Sequence, residues 1–541
     1  MEPGPVQEGR DAYRRSEWSK AHAALSALDE LGELGPADLE LLSDTKFMLG
    51  DPAGMIETLE RAHHGYVERD DVLLAARTAG WLGANYASRD KGAQASGWLE
   101  RAQRLIDQVE GDCVERGYLL LPTMFRYLDS GDLDRVVELT VEADAIGRRF
   151  RDADLVALTG HLHGRALLRQ GLAEEANKVL DEVMISVVGG RLSPRVTGIV
   201  YCGVVDCCFQ AHEIKRAAEW TSALSAWVDS QPDLVAFTDQ CLAHRSEILF
   251  LQGTWNDALA EAKLAHEHKA RGQVAAQAAY QQAEIHRLRG ELELAEQAYR
   301  EVGLKGIDPQ PGLALLRAAQ GNVDAAAASI GRAVSECADL TVKAMLLAAQ
   351  VEVTIEIGDL LGAEAAANDL AGIVEQTRIE MHMAWAASGR GALELARSNH
   401  DSALLGLREA IRRWNDLGVP YELARARFRM AQALAALGDD EAADIELEAA
   451  RAVFFELGAA PDVRRIDDLR RGDRTDKPHG LTQRELEVLR LLTSGASNRS
   501  IASDLVLSER TIDRHVSNIF TKLGVSSRAA ATAFAIRNQL V

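Results

Sequence analysis

A short turn carrying Gly or a polar residue, followed by an Ala- and Leu-rich helix, recurs along most of this 541-residue chain. It appears as GDPAGMIETLERA at Gly50, RDKGAQASGWLERA at Arg89, GDLDRVVELTVEA at Gly131, GLAEEANKVLDEV at Gly171, AHEIKRAAEWTSAL at Ala211 and GTWNDALAEAKLA at Gly253. It continues as GELELAEQAYREV at Gly290, GNVDAAAASIGRAV at Gly321, GDLLGAEAAANDL at Gly358, NHDSALLGLREAI at Asn399 and GDDEAADIELEAA at Gly438. A single hydrophobic core stops growing at about 250–300 residues, so a chain this long is either several domains or an array that grows in one dimension. Turns 31 to 42 residues apart match two helices and two loops, and they decide for the array. About eleven helical hairpins are expected.

Each repeat has a mechanical logic. Gly supplies the left-handed conformation that terminates a helix, as where AQALAAL runs into Gly438. Small residues at helical spacing, such as Ala442, Ala443, Ala449 and Ala450, let helices approach, while Leu and Phe at i, i+3, i+4 fill between them. Only 12 Pro and 5% aromatic residues, with few β-branched runs, fit an all-α protein. The array resembles tetratricopeptide repeats, with a spacing looser and longer than their strict form. The resemblance implies an α-solenoid over residues 1–461, whose concave surface receives a protein, peptide or small-ligand effector.

No run of about 18 apolar residues exists, and the N-terminal MEPGPVQEGRDAYRRSEW lacks the apolar core of a secretory signal. A cytosolic protein with no membrane contact is expected. In that reducing setting Cys113, Cys202, Cys207, Cys208, Cys241 and Cys337 read as small buried hydrophobes, not as disulfides. The spacings of Cys202, Cys207, Cys208 and Cys241, with His212 and His244, match no common zinc pattern. His63-His64, His161-x-His163 and His266-x-His268 read as surface or loop histidines. The chain contains no Gly-Lys dipeptide, hence no Walker A loop, and no catalytic constellation stands out. Neither an enzyme nor a cofactor is expected.

The formal charge of −22 is uneven: residues 481–541 carry +3 and residues 1–480 carry −25. Only the tail suits phosphate. Before it, residues 462–480 read as a capping helix and a polar linker punctuated by Gly472, Pro478 and Gly480. Thr482 and Glu485 form a capping box that opens a helix at Gln483 to Thr493. Gly495 ends it, and Ser497 or Asn498 caps a short second helix. Ser508 caps a third helix to Leu523, whose apolar Ile512, Val516, Ile519 and Leu523 lie within about 60° of one another. Arg510, Arg514, Ser517 and Thr521 lie opposite, flanked by Asp513 and Asn518. Such a face suits a helix inserted in the major groove. Ser526 or Ser527 caps a fourth helix rich in Ala.

LTQRELEVLRLL and SNRSIASDLVLSERTIDRHVSNIFTKLGVSSRAAA closely resemble the LuxR/GerE-type DNA-binding domain, without a gap. The resemblance rests on Glu485, Gly495, Ile501-Ala502, Leu505, Ser508, Thr511-Ile512, His515, Ile519, Lys522-Leu523 and Arg528. It implies a four-helix helix-turn-helix domain at 481–541, with the third helix reading double-stranded promoter DNA, the fourth supporting a homodimer, and RNA polymerase as a further partner. The candidate DNA contacts are Arg499, Ser508, Arg510, Thr511, Asp513, Arg514, Ser517, Asn518, Thr521 and Lys522. Asp513 stands where the family often has Lys, and Arg528 is a candidate partner for Glu485. The whole chain then reads as a sequence-specific transcription regulator. The alternative is an interaction scaffold whose tail serves dimerisation or polymerase contact.

Overall fold

The computed structural model describes residues 4–89, 91–267, 272–475, 478–481, 483–505 and 508–540. Every regular element among these residues is helical. Up to Leu457 the helices pair into twelve hairpins, from Pro5–Arg14 with Trp18–Glu30 to Pro420–Ala436 with Asp440–Leu457. That is one hairpin more than the turns in the sequence announce. The extra one comes first, and its turn places Ser16 at φ 58° where most repeats use glycine. Gly438, at φ 82°, is typical of the glycine turns, whereas His212 and Ser398 take the left-handed position at φ 53° and 61° in two turns without glycine. The 31-residue step between Gly290 and Gly321 is short because the helix between them, Gly312–Ala319, has only eight residues. The last helix of the region, Ala460–Thr475, packs on Asp440–Leu457, with Arg451 paired to Asp467 at 2.8 Å.

The buried core is alanine-rich and punctuated by large anchors. Trp18, Trp255 and Trp414 are almost wholly buried. Two of the three indole N–H groups find acceptors: Trp255 donates to the Phe250 carbonyl at 3.1 Å and Trp414 to Ser388 Oγ at 2.8 Å, whereas that of Trp18 has none among the described residues.

The array also coils back on itself. The Val235 and Ala236 amides both donate to the Met48 carbonyl, at 2.8 and 3.0 Å. His212 Nδ1 and His382 Nε2 lie 3.0 Å apart. The turn at Gly253 rests against Pro420 and Leu457, and that at Gly290 rests against Pro461. These contacts join hairpins four to five places apart in the array, so successive coils touch.

Polar networks tie distant hairpins together. Arg195 is buried between the Phe47 and Trp81 rings, 4.8 and 4.7 Å from their centroids, and donates to Asp44 and Asn85 at 3.3 Å each. Glu352 accepts from Arg425 and, at 3.1 Å, from Arg429. Burial opposes its charge, yet the two guanidinium groups hold its carboxyl down at about 2. Beside them opens a cleft of about 250 Å³ lined by Arg425, Phe428, Arg429, Gln432, Phe454, Asp462 and Arg465.

Two of the histidines expected at the surface are core residues. His63 is fully buried with Nδ1 2.9 Å from the Ala75 carbonyl, and His161 is 3% exposed. The His63 ring packs edge-on against Trp98, 5.1 Å between centroids, and the His161 ring lies against Gly203, where a Cβ would have no room. His64 and His266 are exposed, and His268 lies outside the described residues. Cys113, Cys202, Cys207, Cys208 and Cys241 are buried and unpaired, and Cys337 is half-buried. Burial raises the Cys202 and Cys207 thiols, which keeps them protonated and unreactive. Among the described residues no group of three His, Cys, Asp or Glu is placed to hold a metal ion. No helix among them is long and apolar enough to cross a membrane.

Candidate nucleic-acid interface

Four helices make up the tail: Gln483–Thr493, Asn498–Asp504, Glu509–Leu523 and Arg528–Arg537. Helix starts leave backbone N–H groups unpaired, and three serines supply acceptors. Ser497 accepts from the Ser500 amide at 3.2 Å, Ser508 from Thr511 at 3.1 Å and Ser527 from Ala530 at 3.2 Å. Thr482 of the expected capping box lies outside the described residues. Gly524 closes the third helix in the left-handed conformation. Leu481 and all four helices contribute to one core of thirteen buried residues, among them Leu489, Ile501, Ile512, Ile519 and Ala535.

Burying Ile512, Ile519 and Leu523 turns the opposite side of the third helix outward. Arg510, Arg514, Ser517 and Thr521 are exposed there, spaced four, three and four residues apart along a single line. Arg510 has no polar partner among the described residues, and Thr521 Oγ1 donates back to the Ser517 carbonyl at 3.0 Å. Ser508 and Thr511 bond each other through their hydroxyls at 2.7 Å, at the positive end of the helix dipole.

Other candidates are engaged inside the tail. Asn498 Nδ2 donates to Asp513 at 2.7 Å, so this carboxylate, standing where the family often has Lys, braces the second helix against the third. Asn518 is half-buried and Arg499 exposed. Lys522 Nζ donates to the buried Glu485 at 2.7 Å. Arg528 is directed elsewhere, to the Ala496 carbonyl and to Asn498 Oδ1. His515 is buried, and burial pushes its imidazole below the usual histidine range against the pull of Glu485.

Residues 479–535 match the family model described as GerE, the bacterial regulatory proteins of the luxR family. The tail is a GerE domain.

Relatives share this domain and little else of the chain. The transcriptional regulatory protein DegU of Brevibacillus brevis is 50% identical over 60 residues, which is 11% of this chain and 25% of that protein. The transcriptional regulatory protein LiaR of Bacillus subtilis (strain 168) is 42% identical over 77 residues, 14% of this chain and 36% of that one. The nitrate/nitrite response regulator protein NarP of Escherichia coli (strain K12) is 54% identical over 52 residues, 10% and 24% of the two chains. The chain thus spans about a quarter to a third of the length of the curated relatives it matches. Among solved structures, Cut9 with Hcn1 of the APC/C has a TM-score of 0.39 at 13% identity, covering 85% of this chain and 95% of that one. A Rap protein complexed with competence and sporulation factor has a TM-score of 0.35 at 14% identity, covering 66% and 99%.

One side of the GerE domain meets the repeat array. Arg514 Nη2 pairs with Glu441 and, at 3.4 Å, with Asp439, in the turn and first residues of the hairpin helix Asp440–Leu457. The adjoining Gly438 packs on Arg484 so closely that a Cβ there would lie 3.1 Å from Arg484 Cγ. Arg484 itself donates to the Leu505 carbonyl at 2.8 Å. The sequence motif singles out Arg514 for DNA but gives no sign of its acidic partners, which lie 73 and 75 residues earlier. Nor does it single out Arg484, which shares the first turn of its helix with the family-matching Glu485.

Proposed function

We propose that the chain is a DNA-binding transcription regulator in which the GerE domain, residues 481–541, reads duplex promoter DNA. In this reading the repeat array, residues 1–461, receives a protein, peptide or small-ligand signal, and residues 462–480 connect the two. The observation that carries it is the exposed line of Arg510, Arg514, Ser517 and Thr521 on the third helix of a domain matched to the luxR family. Arg reaches guanine acceptors and hydroxyl or amide side chains reach other base edges in the major groove. Ser508, Thr511 and Arg499 are positioned at or near helix starts, where backbone N–H groups favour phosphate. Asp513, Asn518 and Lys522 border the same face. A homodimer through the Arg528–Arg537 helix, whose Ile536 is 63% exposed, would present two such helices to adjacent half-sites. RNA polymerase is the further partner of this reading. The Arg-lined cleft beside Phe428 and Phe454 is the proposed seat of the effector.

Arg510 tests the DNA reading more cleanly than Arg514, because only Arg514 also touches the array. In the full chain, Arg510→Ala should weaken binding to duplexes selected from a random library by about 1–3 kcal/mol and relax their sequence preference. Wild-type protein that selects no sequence, or a variant that binds unchanged, would favour the interaction-scaffold reading instead.

A further inference from the structure

We propose that the acidic turn Asp439–Asp440–Glu441 of the last hairpin is an internal competitor for DNA, holding Arg514, in the middle of the groove-facing line of the GerE domain, against the repeat array. The inference rests on the DNA-binding reading above and adds how that binding is controlled. Arg514 occupies the middle of the exposed line between Arg510 and Ser517, and its guanidinium is held by two carboxylates of the array, Glu441 and Asp439. Beside this pair, at Gly438, the contact is steric. Gly438, in the left-handed conformation at φ 82°, brings backbone against Arg484, and a Cβ there would also approach His515 Cε1 at 4.0 Å.

This arrangement excludes a duplex for two reasons. A recognition helix works by entering a groove about 12 Å wide and 8.5 Å deep, and here protein stands at hydrogen-bonding distance from the middle of that helix. The two carboxylates also present oxygen acceptors to Arg514 as phosphate or guanine would, so the same side chain cannot serve both. The −25 charge of residues 1–480 opposes DNA approach as long as the domain stays docked.

The contact is built to open. Side-chain exposure is 48% for Arg514, 40% for Asp439 and 67% for Glu441, so solvent and salt screen the pairs. What keeps so weak a contact populated is the covalent connection, which makes docking intramolecular. Any ligand that shifts the last hairpin, or DNA at sufficient concentration, then moves the balance toward the free domain.

The test uses the full chain carrying Asp439→Asn together with Glu441→Gln. Asp439 also accepts the Ala442 amide at 3.2 Å as a helix cap, and Asn retains that role. Asp444→Asn, on the exposed part of the same helix, removes one charge away from the contact and serves as control. Two readouts are taken: affinity for duplexes enriched from a random-sequence library, and amide hydrogen exchange without DNA at the starts of helices Asp440–Leu457 and Glu509–Leu523. The double variant should bind about five-fold more tightly, because apparent affinity rises with the competent fraction, and should exchange faster at both helix starts, while the control changes neither. Unchanged affinity and exchange in the double variant would overturn the docking. Faster exchange with unchanged affinity would overturn the competition, and a control that matches the double variant would assign the effect to overall charge and overturn the contact. If no chain retains any duplex while exchange still rises, the DNA-binding reading itself fails and the competition falls with it.

Discussion

The repeat array and the GerE domain are both wholly helical among the described residues, yet they are held together in different ways. The GerE domain has one core of thirteen residues, drawn from four helices close together in sequence and from Leu481 and Leu540 that flank them. The array divides its core among several separate clusters, the largest running from Leu121 to Ile248, and adds polar links between residues 73 to 170 apart, such as Arg425 to Glu352 and His212 to His382. A domain whose helices are neighbours in sequence can be specified by local spacing and caps. An array that touches itself several repeats later depends on pairs that no local pattern encodes.

Acid should separate the two regions most. Burial pushes the imidazoles of His63 and His161 down to about 4 and that of His382 down to about 3. A lowered folded pKa means that the array keeps this stability above the unfolded histidine value of about 6.5 and loses it as pH falls toward the folded values. By pH 4 the three groups together should cost the array on the order of several kcal/mol. The GerE domain has one such group, His515. All eight tryptophans lie in the array, so their fluorescence follows it alone. Denaturant midpoints from tryptophan emission should fall steeply between pH 7 and 4.5 while exchange protection in the GerE domain falls less. Equal losses would mean that the two regions unfold as one unit.

The converse perturbation is Ile512→Ala. This side chain is fully buried in the thirteen-residue core of its domain. Truncating such a residue costs about 2–5 kcal/mol, comparable with the whole stability of a domain of about 60 residues. The variant should lose DNA binding and exchange protection beyond residue 481 while its tryptophan transition keeps its midpoint. A shifted tryptophan midpoint would show that docking couples the two.

These differences follow what was legible in the sequence. In the GerE domain the helix limits, the serine caps and the exposed line of Arg510 and Arg514 are set by contacts three or four residues apart, and the residues announce them. In the array the period was readable because glycine marks most turns, and the first hairpin escaped because Ser16 does that work. The core positions of His63 and His161, the Arg195 sandwich between Phe47 and Trp81, and the acidic partners of Arg514 depend on what lies across the fold. Charge and spacing alone place none of them. Even within the tail, the choice of Lys522 for Glu485 and of Asn498 for Asp513 needed the packed helices.

A smaller effect tests whether local caps alone set the GerE domain. Ser508 accepts the Thr511 amide at 3.1 Å and bonds its hydroxyl, so Ser508→Ala should lower the domain's stability by about 1 kcal/mol, and Ser508→Gly by a few tenths. Exchange protection across Glu509–Leu523 measures both. No loss in the Ala variant would mean that packing on the array, not the cap, holds the start of that helix.

The smallest effect concerns the turns without glycine. A non-glycine residue in the left-handed region costs about 1–2 kcal/mol, and glycine returns part of that by its greater freedom in the unfolded chain. Ser398 is exposed at φ 61°, and its side chain has no polar contact among the described residues, so Ser398→Gly should stabilise the array by about 0.5 kcal/mol, read as a higher tryptophan midpoint. His212, at φ 53°, should behave in the opposite way. Its ring reaches His382 at 3.0 Å and packs 4.9 Å from the Trp385 ring centroid, so His212→Gly relieves the backbone but removes a contact between coils. A lower midpoint for His212→Gly beside a higher one for Ser398→Gly would separate turns that only reverse the chain from turns that also join one coil to the next. If both variants gain stability, the contact between coils contributes less than the backbone strain at its turn.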